Sequence, residues 1–167
     1  MKQITAKEIA ALRKETGLPV MDCKSALVEA GGDKEKAILL LRKKGMAKSE
    51  RRADKATSNG VIDSYVHGGR IGVLVEVLCE TDFVAKNADF KNFAHEVALQ
   101  IASMAPKYIK SEEVPAEEIE EKSRICLLLQ PYFRDPQKSI ADLLNEIIAR
   151  TGERIVISRF ARLELNC

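Results

Sequence analysis

The stretch VIDSYVHGGRIGVLVEVLCE, Val61–Glu80, decides the fold. In its second half Ile71, Val73, Val75, Val77 and Cys79 share one parity. Arg70, Gly72, Leu74, Glu76, Leu78 and Glu80 share the other. A period of two with one apolar side is the pattern of an antiparallel strand that buries one face. Val61–His67 reads as its partner, and Gly68-Gly69 between them accepts the positive φ of a tight hairpin. A lone hairpin does not hold itself together in water, so other elements must cover it. Downstream, Phe90, Phe93, Ala94, Val97, Ala98, Ile101, Ala102 and Ala105 follow helical spacing, ending by Pro106. Ala116–Leu129 reads as another helix that stops before Pro131. Ser139 and Asp142 make a capping box for one more, with Ile140, Leu143, Leu144, Ile147 and Ile148 inward and Gly152 at its end. Arg154–Leu165 supplies a third strand whose inner face is predicted to be Ile155, Ile157, Ala161, Leu163 and Leu165.

Upstream of the hairpin the pattern is helical. Thr5 and Glu8 form a capping box, Ile9 and Leu12 follow on one face, and the helix should stop at Thr16-Gly17 before Pro19. Cys23, Ala26, Leu27 and Ala30 mark a second helix ending at Gly31-Gly32. Asp33 caps a third, with Ala37, Leu40 and Leu41 inward and Gly45 as its stop. Residues 46–59 are polar, without large apolar periodicity, and read as a basic linker, helical in its first half. The expected class is therefore α+β. Residues 1–45 form a three-helix bundle and 46–59 the linker. Residues 60–167 form a small antiparallel sheet packed with helices.

Charge is segregated along the chain. The 167 residues carry 27 Lys+Arg against 25 Asp+Glu, a net +2 that gives no global signal for nucleic acid or lipid. Yet Lys34–Lys55 is strongly basic, and Glu112–Arg124 is acidic. No apolar run approaches the ~20 residues of a membrane helix. The opening residues lack the apolar stretch of a secretory signal, so the expected compartment is the cytoplasm, with no membrane partner. There is no Trp, and 5% aromatic residues make a poor stacking platform for single-stranded nucleic acid. Cys23, Cys79, Cys126 and Cys167 are far apart, with only His67 and His95 beside them, so no metal site is expected. Cys23, Cys79 and Cys126 read as small buried hydrophobes, and Cys167, the last residue, as exposed.

No nucleotide-cradling, nucleophile-elbow or zincin motif is present, and Gly68-Gly69-Arg70-Ile71-Gly72 sits in a hairpin rather than opening a helix. No catalytic residue and no cofactor are expected. The feature that stands out is Thr81-Asp82-Phe83-Val84, between strand and helix. On pattern alone Thr81 or Asp82 caps the helix and Phe83 enters the core. The alternative is a protruding turn that offers an aromatic ring and a carboxylate to a partner.

Five segments, in order, make the chain recognisable. They are Thr16-Gly17-Leu18-Pro19-Val20-Met21-Asp22-Cys23-Lys24-Ser25-Ala26-Leu27, then Gly60-Val61-Ile62 with Tyr65–Gly72, and Glu80-Thr81-Asp82-Phe83-Val84-Ala85. Gln130-Pro131-Tyr132-Phe133 and Arg159-Phe160-Ala161-Arg162-Leu163-Glu164 complete the set. Together they resemble the bacterial translation elongation factor Ts family. The resemblance implies a guanine-nucleotide exchange factor for elongation factor Tu, with no covalent chemistry. It implies that Asp82 and Phe83, supported by Thr81 and Val84, enter beside the partner's switch region and disturb its Mg²⁺ and phosphate contacts. The helical head resembles a ubiquitin-associated (UBA-like) fold. Leu12, Arg13, Val20 and Met21 match the positions that dock on the nucleotide-binding domain, and His67 matches a segment facing the rest of the partner. The family usually has a methionine where this chain has Val20. Long members carry a second core copy and an inserted helical hairpin. Short members resemble this chain and work as homodimers. Two other readings compete. One is an RNA- or ribosome-associated protein using Arg51, Arg52 and Lys55. The other is a general adaptor using the three-helix head.

Overall fold

The computed structural model describes residues 4–165. Thr5 caps α1 (Ala6–Thr16) with the reciprocal Thr5–Glu8 box, and Gly17 ends it in the left-handed conformation. Helix α2 is Val20–Glu29 and α3 is Lys34–Arg51. Leu12, Leu18, Cys23, Ala26, Leu27, Ala37 and Leu41 meet in one small core. Small residues at these contacts let three short helices approach closely.

Helix α3 does not stop at Gly45. It runs on through the first half of the predicted linker. Gly45 is buried, and a Cβ placed on it would lie 3.4 Å from the Ala149 Cβ. Here glycine serves close helix packing, and the contact offsets the ~1 kcal/mol of helix propensity that glycine forfeits to alanine. Ala149 belongs to α7 (Ile140–Thr151), so α7 completes the core of the head.

The sheet has three antiparallel strands in the order β1 (Asn59–His67), β2 (Ile71–Cys79), β5 (Ile155–Glu164). Gly68 and Gly69 both have positive φ, and the Arg70 N–H donates to the His67 carbonyl to close the turn. Between β2 and β5 in the chain lie α4 (Asp82–Ala85), α5 (Ala88–Met104), α6 (Lys122–Ile125) and a second small ladder, β3 (Pro131–Tyr132) with β4 (Asp135–Ser139), before α7. The inner face of β2 (Val73, Val75, Val77, Cys79) packs on Phe90, Val97 and Ile101 of α5 and on Ile140 and Ile148 of α7. The capping box Ser139–Asp142 opens α7.

Two further expectations change here. Ala116–Leu129 is not one helix: Ala116–Glu121 and Leu127–Leu129 are 3₁₀ turns flanking the single turn of α6. Four glutamates crowd the first half of this stretch, Ile119 is exposed, and the buried side chains gather at Ile125, Cys126 and Leu127 rather than along one stripe, so helix propensity finds no continuous packing to complete it. A buried side-chain pair holds the segment instead. Gln100 of α5 donates to Gln130 and to the Pro131 carbonyl, each at 3.1 Å, and accepts from the Phe133 N–H at 3.0 Å.

The second change is the inner face of β5. Val77 pairs with Ile157 but Glu76 pairs with Arg159, so Ser158 is an extra residue, a bulge. One extra residue exchanges the two faces of everything beyond it. Phe160 and Arg162 therefore turn inward, opposite Val75 and Val73. Ala161, Leu163 and Leu165 turn outward, and Leu163 is 77% exposed. With Ile62, Val66 and Leu74 they give the sheet an uncovered apolar outer face.

Candidate functional site: a clamped turn and an exposed head surface

Strand β2 delivers Thr81 at the start of α4. The Thr81 hydroxyl accepts from the Val84 N–H, which starts a single helical turn. Val84 points into the core and is 5% exposed, whereas Phe83 is 80% exposed. One apolar side chain anchors the turn and the other stands in solvent. Phe83 does not enter the core, so the protruding geometry is the observed one. The Asp82 carboxylate receives the Lys86 ammonium at 2.7 Å one turn on, which holds its carboxyl below the usual range. Both groups are well exposed, and such a pair opens easily to a competing partner.

The turn is clamped from behind. Glu153 receives the Thr81 hydroxyl at 2.6 Å on one oxygen and the Thr81 N–H at 3.0 Å on the other. Glu80 receives the Arg154 N–H and the Arg52 guanidinium, each at 2.6 Å. The Arg154 N–H, with help from Arg52, keeps the Glu80 carboxyl below its ordinary value. Asn59 donates from its side chain to the Glu80 carbonyl at 2.8 Å. Sequence reasoning missed Arg52, Glu80, Glu153 and Arg154 as supports. Nothing local marks them, since Glu153 lies 72 positions from Thr81.

On the head, Arg13, Val20 and Met21 are exposed, Met21 at 67%. Arg13 and Val20 line a shallow concavity with Ala6, Ile9, Ala10, Lys14 and Gly17. Leu12 is placed differently. It is buried in the head core, so its side chain holds α1 in position and offers no surface. His67 is exposed at the hairpin tip, with the Tyr65 hydroxyl 3.0 Å from Nδ1. The structure does not bring His67 to the clamped turn. Strand β2 separates the two by about 30 Å at ~3.3 Å per residue. Cys167 lies outside the described residues. Among those residues no group of three His, Cys, Asp or Glu side chains could hold a metal ion, and no helix is long and apolar enough to cross a membrane.

Comparison with known proteins places the chain among relatives. Residues 45–130 match the profile of the family described as Elongation factor TS. The chain is 46% identical to the protein named Elongation factor Ts from Caldanaerobacter subterraneus subsp. tengcongensis, covering 96% of each chain. It is 47% identical to that of Syntrophomonas wolfei, covering 98% of this chain and 91% of the relative. The Coprothermobacter proteolyticus protein of the same name is 46% identical, with 98% and 99% covered. The Caldanaerobacter alignment extends over 192 positions against 167 residues here, so that relative carries at least 25 residues opposite gaps.

Proposed function

The chain belongs to the elongation factor Ts family, and from that premise we propose that it is a guanine-nucleotide exchange factor for elongation factor Tu, acting in translation elongation. The single observation that carries the mechanism is Phe83, 80% exposed on a turn whose other apolar residue is buried. A large ring left in water by a folded protein is a strong candidate for burial in a partner. In this reading the head docks through Arg13, Val20 and Met21, and Asp82 and Phe83 enter beside the switch region. A P-loop GTPase holds its nucleotide largely through Mg²⁺ and phosphate contacts, so disturbing them weakens GDP. No bond is made or broken. The factor binds the nucleotide-free GTPase better than the GDP form, and linkage makes the effect reciprocal.

The test is release of fluorescent GDP from elongation factor Tu. The protein should accelerate release strongly, and Asp82→Ala/Phe83→Ala should remove most of the acceleration while remaining folded. A wild-type protein without effect sinks the function; a double variant with full effect sinks the mechanism.

The working assembly in this proposal is a homodimer. The uncovered outer sheet face supports it, because Ile62, Val66, Leu74, Leu163 and Leu165 would leave water together on a second copy. Sedimentation equilibrium under reducing conditions should give twice 18.5 kDa at micromolar concentration. Leu163→Asp should shift it to the monomer, and a wild type that sediments only as monomer overturns the assembly.

A further inference from the structure

The C-terminal end of α7 touches both elements that the proposed function brings to the partner. Three residues apart, Arg150 reaches the head and Glu153 reaches the turn. The Arg150 Nε–H donates to the Thr16 carbonyl at 3.1 Å, at the loop that leads into Val20 and Met21. Its guanidinium lies so near Gly17 that a Cβ there would be 3.0 Å from Nε. Glu153 grips Thr81 through both oxygens. Arg154 continues the seam, its N–H on Glu80 and its guanidinium on the Lys55 carbonyl, just past α3. Gly152, in the left-handed conformation, turns the chain so that these neighbours face different elements.

We propose that this segment is a brace that fixes the head and the Asp82–Phe83 turn in one relative geometry, with Arg150 and Glu153 as positioning residues for nucleotide exchange. The inference rests on the exchange reading. Its physical content is preorganisation. Two contacts made by one rigid body on one partner reinforce each other, because the second forms at high effective concentration once the first is made. Loosening either support leaves the contacting residues intact but widens their spread of positions, and small misplacements of an acting group are costly in rate. The supports divide the work. Glu153 holds the element that acts, so its loss lowers the maximal release rate. Arg150 holds the element that docks, so its loss raises the concentration needed for half-maximal effect.

The experiment measures GDP release from elongation factor Tu against concentration of wild type, Glu153→Ala, Glu153→Gln and Arg150→Ala, with amide hydrogen exchange on each free protein. Glu153→Ala should lower the maximal rate at least about tenfold with little change in half-saturating concentration. Glu153→Gln keeps one acceptor oxygen and should fall between. Arg150→Ala should raise the half-saturating concentration several-fold and keep the maximal rate. In the free protein, Glu153→Ala should lose protection at Thr81–Val84 and retain it in β2 and α5. Unchanged protection at Thr81–Val84 overturns the brace whatever the partner does. Loss of protection across the whole core, or an equal fall of both kinetic quantities in both variants, overturns it in favour of a merely structural bond. A wild type that leaves GDP release unchanged overturns the exchange reading, and with it the kinetic role of the brace. The hydrogen-exchange result stands separately.

Discussion

Phe83→Ala separates what this side chain does for the fold from what it does for a partner. The ring is 80% exposed, so the folded state gains little from it, and truncation should change stability by no more than about 0.5 kcal/mol. Phe90, seven residues on, is the internal control. It is fully buried against β2 and α7, and Phe90→Ala should cost about 3–5 kcal/mol, a fall of at least about 6 °C in Tm for a chain of this size. In a complex the order reverses. Burying an exposed phenylalanine is worth about 2–3 kcal/mol, so losing it should weaken kcat/KM for GDP release about 30- to 150-fold. The assays are a thermal melt and stopped-flow release of fluorescent GDP from elongation factor Tu. The expected result is an unchanged melt with slow exchange for Phe83→Ala. A drop in Tm comparable to that of Phe90→Ala would mean that Phe83 supports the core. An unchanged melt with unchanged exchange would refute the assignment of the ring to the partner.

Three further outcomes follow from the same geometry. Gly60→Ala would put a Cβ 2.2 Å from the Val77 carbonyl oxygen on the neighbouring strand, so β1 must shift, at about 2–3 kcal/mol in a denaturant titration. Glu80 has a depressed pKa in the fold, so its stabilising effect is present above the ordinary value of ~4.3 and is lost as pH falls through the lower folded value. Arg52→Ala should raise its carboxyl midpoint in an NMR titration, though not to the ordinary value, because the Arg154 N–H remains; an unmoved midpoint would show that Arg52 does not stabilise the charge. Burial, aided by the nearby Glu153 charge, pushes the Cys79 thiol up to about 11. Mass spectrometry after iodoacetamide at pH 8 should find Cys79 unmodified in the native protein and modified after unfolding.

Particular residues show how far local pattern reached. The capping boxes at Thr5 and Ser139, the end of α1 at Gly17 and the inward parity of β2 were all legible, because each depends on neighbours a few positions away. Gly45 was misread as a stop. A glycine in a helical pattern has two meanings, and only the presence of Ala149 against it selects packing. The acidic 116–129 segment has helix formers, but its buried side chains gather at Ile125, Cys126 and Leu127 instead of recurring along one helical face.

The sequence by itself determined the three head helices, the β1–β2 hairpin, α5, α7 and the third strand in their order, and the position of Thr81-Asp82-Phe83-Val84 at a strand–helix junction. Periodicity and capping are short-range, so they are written where they act. Tertiary structure alone decided which way the ambiguous residues face. Phe83 and Val84 are adjacent and both apolar, yet with Thr81 held by Glu153 only Val84 is buried. Beyond Ser158 the alternation of β5 is intact, yet its meaning is reversed by one unpaired residue that only the register against β2 reveals. The seam from Arg150 to Arg154 joins residues up to 134 positions apart. Such contacts depend on where whole elements dock, and no local pattern carries that information.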